Sequence, residues 1–378
     1  MSETEIPEPD RIEGAPHPRH VPLLYGQPAA ERDFLAAHGS GRMHHGWLIT
    51  GPRGVGKATL AWKIARFLLS EPTRDGGMFG DAPPADTLVT PADTPLARRM
   101  TALAEPRLML VRRPWDSKAS PPRLKRDITV DEIRKLNGFF NLSATDGGHR
   151  VVIIDAADEM NPNAANALLK ILEEPPANST LLLISHRPMR LLPTIRSRCR
   201  VLKCQNLGPE DLALALAAAG FDDISARPEH LATLAAGSVG EAVRILTEQG
   251  LEHYQTLLAL IADSPQMDRI RATQLAERCS GAAGQARYDL VLRLIEFLLH
   301  RLALKGASNR PLAEAADDEA IILGRFSKDA GAARDWATLA ETLAKRSQHA
   351  RAVNLDPAAV ILDMLLKINQ MAGQRRAA

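Results

Sequence analysis

The sequence is poor in cysteine and aromatic residues, and it contains no long apolar run. Its three cysteines, Cys199, Cys204 and Cys279, are too few and too scattered for a disulfide framework. Cys199 and Cys204 alone cannot form a tetrahedral zinc site, so we expect reduced thiols and no zinc. No apolar run reaches membrane-spanning length, and the N-terminus lacks the core of a signal peptide. We therefore expect a cytoplasmic protein that does not contact membranes.

Charge and composition set looser limits. The formal net charge of +2 neither requires nor excludes nucleic acid, because a basic face can be hidden in a balanced total. Aromatic residues make up only 4% of the chain, whereas Ala and Leu are abundant, which favours a helix-rich architecture. A length of 378 residues suggests two or three domains with a substantial core.

Short apolar runs alternate with helical patterns from about Leu23 onward. Near-continuous apolar strands are typical of a parallel sheet covered by helices on both faces. The helix after the first run places Leu60, Ile64 and Leu68 on one face. Residues 1–20 are rich in Pro, Glu and His without periodicity and predict a disordered leader. The predicted strands are residues 47–50, 108–111, 151–154 and 181–185.

After residue 207 the strand patterns stop, and the chain becomes helical. Residues 208–263 predict a small helical unit, and residues 264–378 predict a second helical region with wide apolar stripes, including Leu290, Leu294, Leu298 and Leu302. The last predicted helix begins with Asp356 as its cap and Pro357 at its first position.

Residues 71–127 predict an insertion or long loop, interrupted by the strand at 108–111. This region contains a basic stretch, for which a solvated surface is the favoured interpretation and a DNA-binding site the alternative. The six basic residues are Arg112, Arg113, Lys118, Arg123, Lys125 and Arg126.

Residues 51–57 read Gly-Pro-Arg-Gly-Val-Gly-Lys and lie between a predicted strand and a predicted helix, as a phosphate-binding loop requires. Gly51, Gly54 and Gly56 allow successive backbone N–H groups to converge on an anion at the helix N-terminus. Lys57 can reach the terminal phosphates of a nucleotide. The loop therefore predicts a nucleotide site.

Two catalytic groups are missing from this predicted site. A working loop has Ser or Thr after the lysine to bind Mg²⁺, but this chain has Ala58, and Thr59 is rotated by about 100° around the helix. Asp155 ends a buried strand where α/β sheets bind ligands, but Ala156 replaces the glutamate that activates water in AAA+ ATPases. We expect ATP or ADP to bind without turnover, if nucleotide binds at all.

Three segments together resemble bacterial DNA polymerase III clamp-loader subunits of the AAA+ superfamily. They are the residues 155–160, Asp-Ala-Ala-Asp-Glu-Met, the run 166–176, Asn-Ala-Leu-Leu-Lys-Ile-Leu-Glu-Glu-Pro-Pro, and residues 192–199, Leu-Pro-Thr-Ile-Arg-Ser-Arg-Cys. The resemblance is strong over residues 22–207 and weak beyond. It implies a P-loop AAA+ parallel-sheet domain at 21–207, a helical lid at 208–263 and an all-α collar at 264–378.

Departures from the family's ATPase pattern are similar to those of its delta-prime branch, the stationary member that does not hydrolyse ATP. The zinc knuckle of the ATPase subunits, found also in some delta-prime proteins, is missing here. The lid arginine of the Gly-Ser-x-Arg motif is also missing, since Gly240 occupies its position. Ser185 and His186 fall where the family places its first sensor. The resemblance thus implies that this chain does not hydrolyse ATP itself.

Arg198 lies in the motif whose arginine, in this family, enters the ATP site of the next subunit as an arginine finger. Local pairing within the cluster of Arg196, Arg198 and Arg200 is the simpler alternative. The implied partners are gamma/tau-like ATPase and delta-like subunits, with the sliding clamp and primer–template DNA reached through the complex. Two other functions stay open: an active gamma/tau-like motor, and a non-enzymatic AAA+ adaptor outside replication.

Overall fold

The computed structural model contains two compact units. The first comprises Met1–Asp223 and Gly237–Gly240, and the second comprises Ile224–Ala236 and Glu241–Ala378. The predicted boundaries between P-loop domain, lid and collar, at 207/208 and 263/264, remain predictions. The described residues are 7–41, 43–70, 85–141, 148–221, 228–281, 284–308 and 310–377.

A five-stranded parallel sheet forms the centre of the first unit, with the strand order β2-β5-β6-β1-β7. The other two strands in the described part of the chain, β3 and β4, form a separate antiparallel hairpin. The strands are β1 (Gly46–Thr50), β2 (Leu108–Arg112), β3 (Trp115–Asp116), β4 (Arg123–Leu124), β5 (Arg150–Asp155), β6 (Ser179–Ser185) and β7 (Arg200–Lys203).

The central strands β1 and β6 are buried along their whole length, as is typical of a parallel sheet with helices on both faces. The apolar face predicted for the second helix is confirmed, since Leu60, Ile64 and Leu68 are all at most 3% exposed. The helices of this unit are α1 (Pro28–Gly39), α2 (Lys57–Ser70), α3 (Pro95–Thr101), α4 (Val130–Asn141), α5 (Pro162–Glu173), α6 (Pro193–Ser197) and α7 (Pro209–Ala218).

The described part of the second unit consists of helices and the loops that connect them. The predicted stripe through Leu290, Leu294, Leu298 and Leu302 is confirmed as core, and the last helix begins at Pro357, as predicted. Its helices are α8 (Pro228–Leu234), α9 (Val239–Thr247), whose first two residues belong to the first unit, α10 (Gly250–Ala262), α11 (Arg269–Glu277), α12 (Gln285–Ala307), α13 (Glu319–Phe326), α14 (Ala330–Ala352) and α15 (Pro357–Ala377). Together with the parallel sheet, they confirm the predicted fold class. None of the described helices combines the length and apolarity needed to cross a bilayer.

The prediction of a disordered leader at 1–20 is wrong for residues 7–20. His17 is 2% exposed, its Nε2 lies 2.9 Å from Asp10 Oδ2, and its ring meets that of Trp62 edge-on. A paired His and Asp can be buried because each satisfies the other. The polar composition of this segment therefore concealed a packed structure.

The prediction of a long loop at 71–127 needs correction as well, although residues 71–84 lie outside the described residues. Beyond them the chain forms α3, the edge strand β2 and the β3–β4 hairpin. Thr94 caps α3 by accepting a hydrogen bond from Ala97 N–H, and Met100 is fully buried. Sparse apolar residues were enough to fix short elements here because they pack onto the larger domain.

A buried ionic cluster connects three helices of the second unit. The carboxylate of Glu319, on α13, accepts hydrogen bonds from Arg301 on α12, from the Tyr254 hydroxyl on α10 and from Ala315 N–H. Glu319 is fully buried, and Arg301 is 7% exposed. Burial raises the pKa of Tyr254, so its hydroxyl stays protonated and remains a donor.

We predict that Glu319→Ala lowers the free energy of unfolding by about 3–5 kcal/mol, because it leaves the Arg301 guanidinium buried without its counter-ion. Arg346→Ala is the matched control, since Arg346 pairs with Asp363 on the surface and should contribute about 1 kcal/mol or less. Urea denaturation followed by circular dichroism measures both. Equal effects of the two variants would contradict a special role for the buried cluster.

Candidate functional site

The predicted phosphate loop lies between β1 and α2, and its lysine is turned onto the loop itself. The Lys57 ammonium donates hydrogen bonds to the carbonyl oxygen of Gly51, at 2.8 Å, and to that of Pro52. Lys57 is 3% exposed, and burial lowers its pKa to about 8, although Cys204 and Asp155 oppose the fall. The side chain predicted to hold phosphates is therefore occupied by backbone acceptors.

Residues far away in sequence pack against the loop. Ser238 Oγ donates a hydrogen bond to the carbonyl of Arg53, and Gly240 N–H approaches the carbonyl of Gly54 at 3.4 Å. A Cβ atom added to Gly240 would lie 2.4 Å from the side chain of Ile12. An arginine cannot take this position without moving Ile12. Gly240, which stands where the Gly-Ser-x-Arg motif has its arginine, is thus packed closely against the side chain of Ile12.

The glycines of the loop are required by its shape. Gly51, Gly54 and Gly56 have φ values of +145°, +79° and +97°, which side chains other than glycine rarely adopt. A Cβ atom on Gly51 would lie 2.4 Å from the carbonyl oxygen of Cys204. The prediction that backbone N–H groups at these three glycines converge on a nucleotide phosphate stays a prediction.

Asp155 ends β5 in a buried position that disfavours its charge. Burial raises its pKa to about 7, and the nearby carboxylate of Asp10 adds to the rise, while Lys57 opposes it. Asp10 itself is held by His17 and by Arg112 Nη1, at 2.6 Å.

The residues around Asp155 do not replace the missing glutamate. Ala156 is buried, and Asp158 Oδ1 accepts a hydrogen bond from His186 N–H at 2.8 Å, which commits it to the end of β6. Ser185 Oγ and His186 Nδ1 are buried and have no hydrogen-bond partner within the described ranges. Burial lowers the pKa of His186 to about 4, so its ring is neutral. These two side chains remain available to a bound group.

Thr59 is half-buried in the first turn of α2, two residues after the lysine. Its contact with a nucleotide also stays a prediction. Among the described residues, no group of three or more His, Cys, Asp or Glu side chains is arranged to hold a metal ion.

Arg198 directly follows α6. Its hydrogen bonds and its ion pair are made with residues outside the phosphate loop. Its Nη2 lies 2.8 Å from Glu173 Oε1 at the end of α5, and its Nη1 donates to the Thr194 carbonyl at 3.2 Å. Its side chain is 37% exposed. The arginine cluster splits, because Arg196 contacts Met189 and Arg200 stacks over Trp47. Only Arg198 of the three is paired with a carboxylate in the described structure.

Sequence reasoning missed three residues that shape these sites. Gln27 is 4% exposed and connects the loop to the end of the sheet, donating to the carbonyls of Val55 and Gln205. Asp10 lies beside Asp155, and Glu173 holds Arg198. Glu173 stands in the Glu-Glu-Pro-Pro run and could have been noticed there, whereas Gln27 and Asp10 carry no local pattern.

The sheet order separates the loop strand β1 from the carboxylate strand β5 by one strand, β6. Both motifs consequently end at the same edge of a parallel sheet, with the loop opening α2. These features define a P-loop domain of the AAA+ type, here without two of its catalytic groups.

Comparison with known proteins identifies the family of this chain among P-loop proteins of the AAA+ type. The family described as "DNA polymerase III, delta subunit" matches residues 26–208. The DNA polymerase III subunit delta′ of Pseudomonas aeruginosa is 34% identical over 258 residues, covering 65% of this chain and 73% of that protein. The Escherichia coli subunit delta′ is 29% identical over 233 residues, covering 61% of this chain and 63% of that protein. The chain therefore belongs to the delta′ family of DNA polymerase III subunits.

Among solved structures, a gamma subunit-related protein from Thermotoga maritima is 17% identical, with a TM-score of 0.42. The match covers 90% of this chain and 100% of that protein.

We predict that Gly54→Ala lowers the free energy of unfolding by about 1–3 kcal/mol. The added Cβ would have a φ of +79° and would lie 2.3 Å from Ser238 Oγ and 2.9 Å from Gly240 N. Gly138→Ala is the matched control, because Gly138 is exposed in α4 with open space around it and should gain about 0.5–1 kcal/mol. Urea denaturation compares the two. A neutral Gly54→Ala would show that the loop is not closely packed.

Proposed function

We propose that this chain acts as the stationary, non-hydrolysing delta′ subunit of a bacterial DNA polymerase III clamp loader, which places the sliding clamp on primed DNA. In this role it lends Arg198 to the ATP site of a neighbouring subunit. Membership of the delta′ family supports the assembly. The chain's own side chains support the second part of the proposal, in which a neighbouring subunit hydrolyses ATP and this chain does not.

The chain's own loop is poorly equipped for hydrolysis. Ala58 offers no hydroxyl to Mg²⁺, and Ala156 offers no carboxylate to an attacking water. The Lys57 ammonium would first have to leave the carbonyls of Gly51 and Pro52 before it could hold a phosphate. These three features favour turnover in another subunit over turnover in this one.

In our proposal, ATP or ADP held at this loop is retained without turnover. Ser185 and His186, whose buried polar atoms lack partners among the described residues, are suited to contact such a nucleotide. Zinc has no part in the proposal, because the three cysteines are too few for a four-thiolate site.

The observation that carries the proposal is that the Arg198 side chain is partly exposed and only weakly paired. Its guanidinium is partly exposed, at the end of a short helix, and is held by one carboxylate, Glu173, and one carbonyl, Thr194. Exposed ion pairs of this kind contribute only about 0.2–1 kcal/mol. The guanidinium can therefore exchange Glu173 for a stronger anion at little cost, so local pairing and action as a finger are compatible.

A phosphate of a neighbouring subunit is such an anion. A planar guanidinium forms two parallel hydrogen bonds to phosphate oxygens and keeps its charge at all physiological pH values. Placed on the γ-phosphate, it neutralises charge that develops during transfer, an effect of about 10³–10⁵-fold in other systems. Because the arginine and the nucleotide belong to different chains, hydrolysis would depend on assembly.

The remaining parts of the proposal concern partners. The partners we propose are gamma/tau-like ATPase subunits and a delta-like subunit, joined through the helical second unit. The sliding clamp and primer–template DNA are reached through that complex. Helix α15 contributes Ile361, Met364 and Leu365 to the core of its own unit, so its exposed residues, such as Leu366, are the ones left for contacts between subunits.

We predict that Arg198→Ala lowers DNA- and clamp-stimulated ATP hydrolysis by the reconstituted loader at least ten-fold, about 1.4 kcal/mol of barrier. The loss follows from removing a positive charge from the transition state in the neighbouring site. Turnover is measured by phosphate release, and assembly is checked by size-exclusion chromatography.

Two control variants sharpen this test. Arg196→Ala removes a charge from the same cluster, and Lys57→Ala removes the cation of the chain's own loop; both should change turnover less than about two-fold, an effect below about 0.4 kcal/mol. Unchanged turnover in Arg198→Ala with an intact assembly would sink the proposed finger. A ten-fold loss in Lys57→Ala would indicate an active site in this chain.

A further inference from the structure

The ion pair between Arg198 and Glu173 joins two surface residues of the first unit. Arg198 Nη2 lies 2.8 Å from Glu173 Oε1, and Arg198 Nη1 donates to the Thr194 carbonyl at 3.2 Å. The two side chains are 37% and 48% exposed, so other ions can reach both partners. Both terminal nitrogens of the guanidinium are engaged, and an approaching anion therefore has to compete with the Glu173 carboxylate for Nη2.

The backbones that carry the two partners are fixed against the start of β1. The carbonyl oxygen of Leu172 lies 3.0 Å from His45 Nε2, which ties the end of α5 to the residue before β1. Ile195, three residues before Arg198, is fully buried. A Cβ atom added to Gly46 would lie 3.0 Å from the Leu172 side chain and 3.3 Å from the Arg198 carbonyl oxygen. The pair can therefore open by side-chain rotation, without movement of the backbone.

The position of Glu173 in its helix indicates a role outside that helix. Glu173 is the last residue of α5, where the partial negative charge of the helix C-terminus disfavours a carboxylate. Glu174 adds a second negative charge there, and it forms no ion pair in the part of the chain that the structure describes. The carboxylate of Glu173 is therefore explained by its contact with Arg198 and not by the stability of α5.

A terminal phosphate is a stronger partner for this guanidinium than Glu173 is. A phosphate monoester carries about −1.5 to −2 charges at pH 7 and offers three acceptor oxygens, whereas a carboxylate carries a single charge. A guanidinium binds phosphate through two parallel hydrogen bonds, but only Nη2 of Arg198 contacts Glu173 here. The guanidinium therefore leaves Glu173 for a terminal phosphate within its reach and stays on Glu173 when there is none.

From this arrangement we infer that Glu173 is a positioning residue for Arg198, which holds the guanidinium in a resting orientation and releases it to the γ-phosphate of ATP in the neighbouring subunit. ADP in that site has no γ-phosphate, so the guanidinium stays on Glu173. The pair thereby makes the contact of Arg198 with the neighbouring site selective for the triphosphate. The inference rests on the proposed function, since it requires that Arg198 face a neighbour's nucleotide.

The pair exists only while Arg198 is at rest, which determines what its loss should do. It stabilises the nucleotide-free and the ADP-bound assembly, but not the ATP-bound one. Removing the Glu173 charge should therefore tighten the binding of ATP. Arg198 contacts phosphate both in the ATP-bound state and in the transition state, so KM for ATP should fall while kcat is unchanged.

The test uses Glu173→Gln, which keeps the length of the side chain and removes its charge, in the reconstituted loader. Fluorescence titration measures the binding of a labelled non-hydrolysable ATP analogue and of labelled ADP, and steady-state hydrolysis gives KM and kcat. We expect the variant to bind the ATP analogue about 1.5- to 5-fold more tightly, which corresponds to about 0.2–1 kcal/mol. KM should fall by the same factor, whereas the affinity for ADP and kcat should change less than about 1.3-fold.

Glu174→Gln is the matched control, because it removes the same charge from the next residue and leaves the pair intact. It should change neither affinity, which separates the pair from general repulsion between carboxylates and the nucleotide. In an Arg198→Ala background, Glu173→Gln should have no effect, since no guanidinium is left to hold. Equal tightening in that background or in Glu174→Gln would show that Glu173 acts through its charge alone, and would overturn the inference.

The binding and hydrolysis results also distinguish this inference from the proposed finger. A loss of turnover of about ten-fold in Arg198→Ala, with unchanged ATP-analogue affinity in Glu173→Gln, would keep the finger and reject the role of Glu173. Unchanged turnover in Arg198→Ala would reject the finger, and the role of Glu173 with it. Size-exclusion chromatography checks that every variant assembles.

Discussion

The closed phosphate loop is the constraint on which the functional account depends. Its lysine ammonium is satisfied by the carbonyls of Gly51 and Pro52, and Ser238 and Gly240 lie directly against the loop. A buried ammonium must be hydrogen-bonded, and once it is, a competing phosphate has to replace those bonds as well as bind. The loop thus has the shape of a nucleotide site, while the Lys57 side chain is hydrogen-bonded to the loop's own backbone.

In this account the functional group of the domain is a surface residue, Arg198, and not the phosphate loop. Strand β5 ends in Asp155, whose pKa is raised to about 7 by burial, and Ala156 follows it in place of a glutamate. Arg198 is partly exposed on this domain, and its guanidinium is paired with the exposed carboxylate of Glu173. Its guanidinium is suited to a phosphate that belongs to another molecule, the nucleotide of a neighbouring subunit.

Much of this could be predicted from local sequence patterns, because glycine spacing and apolar runs act over a few residues. The strands at 47–50 and 181–185 and the buried face of α2 are of this kind. Strand β7 was missed, since only Leu202 of its four residues is buried. The contact of Ile12 with Gly240 and the pairing of Arg112 with Asp10 join residues over a hundred positions apart, which no local pattern encodes.

The most direct measurement of the central claim is the structure of the assembled loader with an ATP analogue, determined by electron cryomicroscopy. The account predicts the Arg198 guanidinium within about 2.7–2.9 Å of a γ-phosphate oxygen held by the neighbouring subunit. Arg198 still bound to Glu173 in that assembly, away from the neighbour's γ-phosphate, would contradict it.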